Sequence, residues 1–427
     1  MKTTPKSLRL QIGIFGRTNV GKSSFLNMVA GQDVAITSPV PGTTTDVVEK
    51  TMELLPVGPV VFLDTAGLDD ASELGGLRVK KTHKIFDRSD VIVLLTEAEA
   101  WNSYEDMVIV EAGKRAIPVI VCVNKIDVNP PTQEFMRRVA QKTPRMILVS
   151  SVDLKNRDAY VNPLKKHLLE VCPEDYLQPP PLIGDLIPKT GLAALIVPID
   201  KEAPKGRIIL PQVHTIRDCL DHRQAALVVN EVEYKGMLAK LKALPDIAVC
   251  DSQVVGRMVA DTPAGMPCTT FSILFARSKG DLVELAKGAA HIKALKPGDR
   301  ILIAESCSHH PIEDDIGRVK LPRWLRTFVG GELKIETCAG RDYPEDLKEY
   351  RLIIHCGGCM ITRREMLARI EKAREAGVPI TNYGVAVSVL QGVLDRTLSP
   401  FPAALEAYRK ELARIKKGTV PAERKGR

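Results

Sequence analysis

The sequence predicts an α/β protein in three successive parts: a P-loop nucleotide domain, a small α/β module and a Rossmann-like parallel-sheet domain. Three observations carry this. A full G-x-x-x-x-G-K-S stretch, Gly16 to Ser23, lies between a strand-like run and a helix-like run. A Pro-rich interval follows at 173–188, with Pro179-Pro180-Pro181, and such stretches act as semi-rigid spacers. Beyond residue 264, strand-like and helix-like runs alternate, the pattern of a parallel sheet with right-handed crossovers. The expected boundaries are 1–172, 173–188, 189–263 and 264–427.

Composition sets the bounds. A chain of 427 residues has room for two to four domains of about 100–200 residues each. Its 44% hydrophobic and 26% charged fractions are those of a globular chain. No apolar run reaches the roughly 18–20 residues needed to span a bilayer. Met1-Lys2-Thr3-Thr4-Pro5-Lys6 lacks the apolar core of a signal peptide. A cytoplasmic protein without a membrane partner is expected. Nine cysteines then read as thiols or metal ligands, not as a disulfide framework. Six of them, Cys122, Cys172, Cys219, Cys250, Cys268 and Cys338, are isolated and read as small buried hydrophobes. The net charge of +8 is partly gathered in the tail from Arg409 to Arg427, which reads as a solvated helix with a frayed end.

In the first part, residues 8–15 form the strand, Gly16-Arg17-Thr18-Asn19-Val20-Gly21-Lys22-Ser23 the loop, and 23–30 the helix, with Ser24 in its first turn and Gly31 as its stop. The glycines let backbone N–H groups face phosphates, and the helix N-terminus adds its positive dipole end. Lys22 is placed for the β- and γ-phosphates and Ser23 for magnesium. After the strand 60–63 come Asp64-Thr65-Ala66-Gly67. Asp64 is placed to hold the magnesium ion and Gly67 to offer an N–H to the γ-phosphate. After the strand 119–123 come Asn124-Lys125-Ile126-Asp127. The aspartate accepts two hydrogen bonds from guanine, and Asn124 and Lys125 buttress its loop. Ser150-Ser151 follow the strand 146–149 and fit the last base-contacting loop. Five ordered elements at strand ends make a guanine-nucleotide domain, binding GTP and GDP.

Asn19 and the stretch Pro41-Gly42-Thr43-Thr44-Thr45-Asp46 resemble the translation-factor-like GTPases of the Era and MnmE branch. The resemblance implies that Thr43 and Thr44 lie in the first switch, with Thr44 closing on magnesium. It implies that Asn19 helps bind a potassium ion at the phosphates. Leu68 follows Gly67, and leucine cannot orient the attacking water as a glutamine does. Slow, potassium-stimulated hydrolysis is expected, with loops 33–46 and 64–82 switching on GTP.

In the second part, 192–199 and 207–210 read as strands around Ala203-Pro204-Lys205-Gly206. Residues 212–220 and 234–244 read as helices, and 247–250 as a strand. No catalytic constellation appears, and His214 and His222 read as ordinary half-buried histidines. A module of about 70–80 residues buries a marginal core alone, so pairing with a second copy is expected and a homodimer follows.

The third part carries the remaining chemistry. Residues 271–275, 300–304, 352–354 and 379–382 read as strands; 279–292, 322–329, 363–376 and 385–394 read as helices. Cys307, His309, His355, Cys356 and Cys359 should converge on the rim at the strands' C-terminal ends. Cys356-Gly357-Gly358-Cys359 lets two thiolates share a metal centre while the glycines turn the backbone around it. Cys307 adds a third thiolate, and His309 or His355 a fourth position. This set fits structural zinc and also an iron–sulfur cluster with one exchangeable corner; a catalytic Cys/His pair is a third reading, which five such residues together disfavour. Attachment to a self-sufficient sheet favours the cluster.

The GTPase motifs, the middle run Ala203-Pro204-Lys205-Gly206-Arg207-Ile208-Ile209-Leu210-Pro211-Gln212 and the terminal Cys-x-His…His-Cys-x-x-Cys together resemble the HydF family, the GTPase scaffolds of FeFe-hydrogenase maturation. The resemblance spans essentially the whole chain. It implies a [4Fe-4S] cluster on Cys307, Cys356 and Cys359, with a fourth corner open or weakly held. It implies a diiron precursor carried and delivered to the FeFe-hydrogenase apoprotein, with two radical-SAM maturases upstream. The competing reading is an RNA- or ribosome-directed GTPase with a structural zinc domain. Aromatics make up only 4% of the chain and no aromatic-rich RNA-binding signature appears, so nucleic acid is not an expected partner.

Overall fold

The computed structural model describes residues 6–31, 48–64, 84–177, 180–199, 208–306, 315–340, 343–344 and 346–419. The chain divides into two compact units, Met1–Pro179 and Pro180–Arg427.

The first unit is built on a six-stranded sheet of order β2-β3-β1-β4-β5-β6. Its strands are β1 (Leu10–Phe15), β2 (Val48–Leu54), β3 (Gly58–Asp64), β4 (Val91–Glu97), β5 (Val119–Asn124) and β6 (Met146–Leu148). All pairings are parallel except β2 with β3. Every residue of β1 and β5 is buried. This is why they read as unbroken apolar runs: helices cover both faces of a parallel sheet. Those helices include α1 (Lys22–Ala30), α2 (Ser103–Lys114), α3 (Gln133–Lys142) and α4 (Arg157–Val171). Gly31 ends α1 at φ 74°, and its N–H bonds the carbonyls of Asn27 and Met28.

The second unit holds two four-stranded parallel sheets. The first has the order β10-β9-β7-β8, from β7 (Leu192–Ile196), β8 (Ala225–Val229), β9 (Ile247–Cys250) and β10 (Cys268–Thr270). The second has the order β12-β11-β13-β14, from β11 (Arg300–Ala304), β12 (Lys334–Cys338), β13 (Leu352–His355) and β14 (Ile380–Asn382). One continuous apolar cluster runs from Ile183 to Tyr408 and takes side chains from both sheets. The middle module therefore does not rest on its own small core.

Several elements differ from the sequence reading. Residues 271–275, expected as a strand, open the helix α8 (Phe271–Lys279). Thr270 caps it by accepting from the Ile273 N–H at 3.1 Å. Phe271, Ile273, Leu274, Phe275 and Ala276 are all buried, and a helix buried all round has the apolar run of a core strand. The expected helix 279–292 is divided: α8 ends at Lys279 and α9 (Leu282–Ala290) begins after Asp281, whose side chain accepts from the Glu284 N–H. Residues 208–210 form no strand. Leu210 begins α5 (Leu210–Asp221), with Pro211 suited to a first turn and Gln212 accepting from the Ile209 N–H at 3.0 Å. The expected helix 234–244 stops at Leu238, where i→i+3 turns replace it. The edge strands β8 and β12 and the short β10 were not read as strands. Half-exposed edges lack the apolar run of a central strand.

Two expected boundaries also move. β10 and α8 continue the middle sheet beyond residue 263. The end of the Pro-rich interval is not a spacer: Ile183 and Ile187 are buried. The N–H groups of Ile183 and Gly184 both donate to Asp218 at 2.8 Å, and Gln224 donates to the carbonyls of Gly184 and Ile187. The basic tail is helical over α13 (Pro402–Thr419). It docks through Ala404, Leu405 and Tyr408, and its charges pair locally, as in Lys410–Glu406 and Arg414–Glu411 at 2.6 Å. Residues 420–427 lie outside the described residues.

Replacing Asp218 with alanine should strip two backbone donors of their acceptor and cost about 1–3 kcal/mol. Urea denaturation of the full chain measures this; an unchanged midpoint would show that residues 183–184 add nothing to the second unit.

Candidate functional site

The nucleotide loop is shaped by its backbone. Gly16 has φ 151°, and a side chain there would meet the Leu95 carbonyl at 2.7 Å. Gly21 has φ 95°, and a Cβ there would meet the Asn124 side chain at 2.5 Å. Asn19 takes the left-handed conformation, φ 64°, which asparagine tolerates better than most residues. It is exposed with Thr18, Ser23 and Ser24, while Val20 is buried. The ammonium of Lys22 lies inside the loop and donates to the carbonyls of Gly16 at 2.5 Å and Arg17 at 3.1 Å. Arg17 points away to α2, donating to Glu105 at 2.8 Å. Glu105 is itself fully buried and completes the capping box of α2. Tyr104 accepts from the Gly16 N–H at 3.3 Å.

Asn124 is the centre of the site. It is buried at the end of β5. Its amide N–H donates to the Val20 carbonyl at 2.7 Å. Its carbonyl accepts from the Ser151 N–H at 3.2 Å and hydroxyl at 2.8 Å. One side chain thus joins the phosphate loop to the base loop. Lys125, at φ 60°, pairs with Glu97 at 2.6 Å. Asp127 is exposed, and Ser150 is buried beside Ser151. Asp64 is buried at the end of β3. Thr43, Thr44, Thr65 and Gly67 lie outside the described residues.

The second cluster lies at the C-terminal rim of the β11–β13 sheet. Parallel pairing sets Ala304 opposite His355, and the Cys356 N–H donates to the Ala304 carbonyl at 2.8 Å. The next residues therefore meet. The Cys356 sulfur accepts from the Ser306 N–H at 3.1 Å and the Gly358 N–H at 3.5 Å, and it lies 3.1 Å from the Ser306 hydroxyl. Gly358 turns at φ 66°, where a Cβ would meet Met366 at 2.4 Å. Such backbone N–H donors suit an anionic or metal-bound sulfur. Cys359 is half-buried; burial pushes its thiol up, the Cys356 sulfur adds to this, and Lys279 pulls it back. Cys307 and His309 lie outside the described residues. Among those described, no group of three or more His, Cys, Asp or Glu gathers as a metal site.

His355 is not held as a ligand would be. It is fully buried. Its Nδ1 lies 2.8 Å from the Cys356 carbonyl and its Nε2 3.0 Å from an Arg369 guanidinium N–H. The carbonyl can only accept and the guanidinium can only donate, so Nδ1 carries the proton and Nε2 accepts. Both ring nitrogens are committed. Burial, then the Arg369 charge, hold its pKa down to about 3. Arg369 also donates to the Gly340 carbonyl and pairs with Glu365 at 3.1 Å. His355 thus orders the loop and stays neutral.

Three further residues were not read from the sequence. Lys279, at the end of α8, is only 7% exposed and donates to the carbonyls of Gly358, Cys359 and Ile361 at 3.2, 3.2 and 2.8 Å. Burial brings its pKa down to about 8. Ser306 stood next to a flagged cysteine; Lys279 is distant in sequence, and only the fold brings it there. Glu305, 2% exposed, accepts from Arg318 at 3.2 Å and the Tyr383 hydroxyl at 3.4 Å. His214 stacks on Phe275, and His222 bonds its own helix. Of the isolated cysteines, Cys122, Cys219, Cys250 and Cys268 are buried, and Cys172 and Cys338 half-buried.

Family comparison divides the chain along these lines. Residues 11–125 match the 50S ribosome-binding GTPase family, 182–280 the hydrogen maturase F dimerization domain and 283–400 the hydrogen maturase F tetramerization domain. The tRNA modification GTPase MnmE of Synechococcus sp. (strain JA-2-3B'a(2-13)) is 40% identical over 126 residues, 29% of this chain and 26% of that protein. MnmE of Prochlorococcus marinus (strain NATL2A) is 31% identical over 165 residues, 38% of this chain and 34% of that protein. The chain thus spans about a quarter to a third of these curated relatives. Among solved structures, Aquifex aeolicus Era bound to GDP·AlF4− covers 78% of this chain and 96% of its own, at 19% identity and TM-score 0.32. The T. maritima FeoB G domain covers 39% of this chain and 99% of its own, at 16% identity and TM-score 0.31.

The motifs and the family match define a P-loop GTPase that binds GTP and GDP with Mg2+ and hydrolyses GTP. Two oligomerisation domains follow it. The chain belongs to the hydrogen maturase F family, with a G domain similar to that of MnmE.

Asn124→Ala removes the bonds to Val20 and Ser151 together. It should weaken GDP binding about tenfold to a hundredfold, the equivalent of roughly 1.5–3 kcal/mol. Titration with a fluorescent GDP analogue measures this; unchanged affinity would remove Asn124 from the centre of the site.

Proposed function

We propose that the chain is a scaffold that holds a [4Fe-4S] cluster on Cys307, Cys356 and Cys359, accepts a diiron precursor and delivers it to the FeFe-hydrogenase apoprotein under the control of GTP. The observation that carries this reading is the Cys356 sulfur, which accepts two backbone N–H groups at the C-terminal rim of a parallel sheet. The donor set fits a thiolate-bound centre: Cys356 and Cys359 flank a glycine turn, a buried ammonium lies behind them, and Cys307 follows Ser306 directly. When bound, the cluster supplies an iron corner at which the diiron cargo can be held. His355 already has two hydrogen-bond partners, so the fourth corner falls to His309, to another group or to none. Incomplete ligation suits a carrier, which must release what it holds. Two radical-SAM maturases are the upstream partners in this scheme.

On the GTPase side, Thr44 and Asp64 with Ser23 complete the magnesium site, and Asn19 contributes to a potassium site. With Leu68 in place of a water-orienting glutamine, hydrolysis is slow and stimulated by potassium over sodium. The loops carrying Thr43, Thr44, Thr65 and Gly67 act as the switch. A homodimer is supported by the dimerization match and by the half-exposed edge strand β8. All described cysteines are free thiols, which supports a reducing, cytoplasmic setting. No helix among the described residues is long and apolar enough to cross a membrane.

An RNA- or ribosome-directed GTPase with a structural zinc domain draws on the names of the family and relatives matched by the first unit and on the net charge of +8; nothing among the described residues of the second unit favours it. Cys356→Ser and Cys359→Ser should each lose at least half of the bound iron and labile sulfide and abolish hydrogenase activation, while GTP turnover stays within about twofold of the parent. Iron assay and phosphate release on the same anaerobic preparation measure both. Collapse of GTP turnover together with the iron would refute a separable thiolate site.

A further inference from the structure

The ammonium of Lys279 is enclosed by three carbonyls, all from the turn that carries the Cys-x-x-Cys pair. No carboxylate pairs with it in an ion pair among the described residues. The turn it binds carries Cys356 and Cys359, and its bond to the Cys359 carbonyl places it directly behind that pair. The Phe275 ring lies 5.6 Å from the ammonium. Burying a cation is costly unless its hydrogen bonds and counter-charge are supplied. Here the carbonyls supply the first, and a metal-bound thiolate pair on the same turn would supply the second. The bond is answered from the other side. Arg363, opening α11 (Arg363–Glu375), donates to the carbonyls of Ser278 and Gly280 at 2.7 and 3.2 Å, at the end of α8. Lys279 lies in the segment that matches the dimerization domain, and the cysteines and Arg363 lie in the segment that matches the tetramerization domain.

We propose that Lys279 is a positioning residue for the thiolate centre: it holds the Cys356–Cys359 turn in its ligand-presenting shape and places a positive charge behind the sulfurs, so that the dimerization domain supplies part of the site. The second half rests on the cluster reading above; the first does not. A cation behind the sulfurs stabilises the more reduced, more negative state of a bound cluster. Lys279→Met keeps the apolar stem and removes both the donors and the charge. Lys279→Gln keeps a donor and removes the charge.

The test uses the full chain, purified anaerobically as parent and both variants. Hydrogen–deuterium exchange on the metal-free proteins reads the turn, and an EPR-monitored redox titration on iron-reconstituted protein reads the charge. With Met, the amides of 357–361 should exchange about tenfold or more faster while those of β11 and β13 stay protected. With Gln, exchange should lie closer to the parent. Both variants should shift the midpoint to more negative potential, lowering the reduced-to-oxidised ratio at a fixed potential about tenfold. Parent-like exchange and potential in Lys279→Met would overturn the proposal. Loss of protection throughout β11 and β13 in both variants would also overturn it, because the role would then be general stability. A parent that holds no iron or sulfide would defeat the cluster reading, while the exchange arm still decides whether Lys279 holds the turn.

Discussion

Parallel pairing of β11 with β13 is the constraint on which the second unit's chemistry depends. The register places Ala304 beside His355. Because the strands are parallel, both chains leave the sheet on the same side. Ser306 and Cys356, 50 residues apart, therefore meet within hydrogen-bond distance. A one-residue slip would turn every side chain of the strand to the other face. Slippage is opposed by burial: Ile301–Ala304 and Leu352–Ile354 are all at most 1% exposed. The same hydrophobic packing that stabilises the sheet fixes where the sulfur sits.

The rim is then organised by cations that come from outside it. Arg369 locks His355, Arg318 pairs with Glu305, and Lys279 closes the cysteine turn. Each donates to backbone or side-chain acceptors at the rim, and a buried acceptor left without any partner costs about 1–3 kcal/mol. His355 stays neutral in this setting and acts as a hydrogen-bond bridge between Arg369 and the Cys356 carbonyl. The nucleotide site uses a comparable device with a neutral group. Asn124 ties the phosphate loop to the loop at Ser151, so disturbance at either is felt by the other.

The nucleotide loop was legible because its chemistry is local: glycine spacing, lysine and serine stand within eight residues, and the flanking strand is an apolar run. The central strands of both parallel sheets were legible for the same reason, since burial on both faces writes itself as continuous Val, Ile and Leu. The edge strands β8 and β12 carry no such run. Phe271–Phe275 misled because an all-round buried helix and a core strand share one composition. At the rim of the β11–β13 sheet, Cys356 and Cys359 announced themselves by spacing. His355 also stood out, but its commitment to Arg369 depends on a residue one helix away. Lys279 could not be read at all: a lysine ending a helix is ordinary until the fold turns it onto another segment's carbonyls.

The central claim is that this rim binds an iron–sulfur cluster, and metal analysis of the anaerobically purified chain joined to EPR of its reduced form tests it most directly. The account predicts close to four iron and four labile sulfide per chain and a low-temperature signal of a reduced [4Fe-4S] cluster. A colourless protein with stoichiometric zinc, no labile sulfide and no such signal would contradict it.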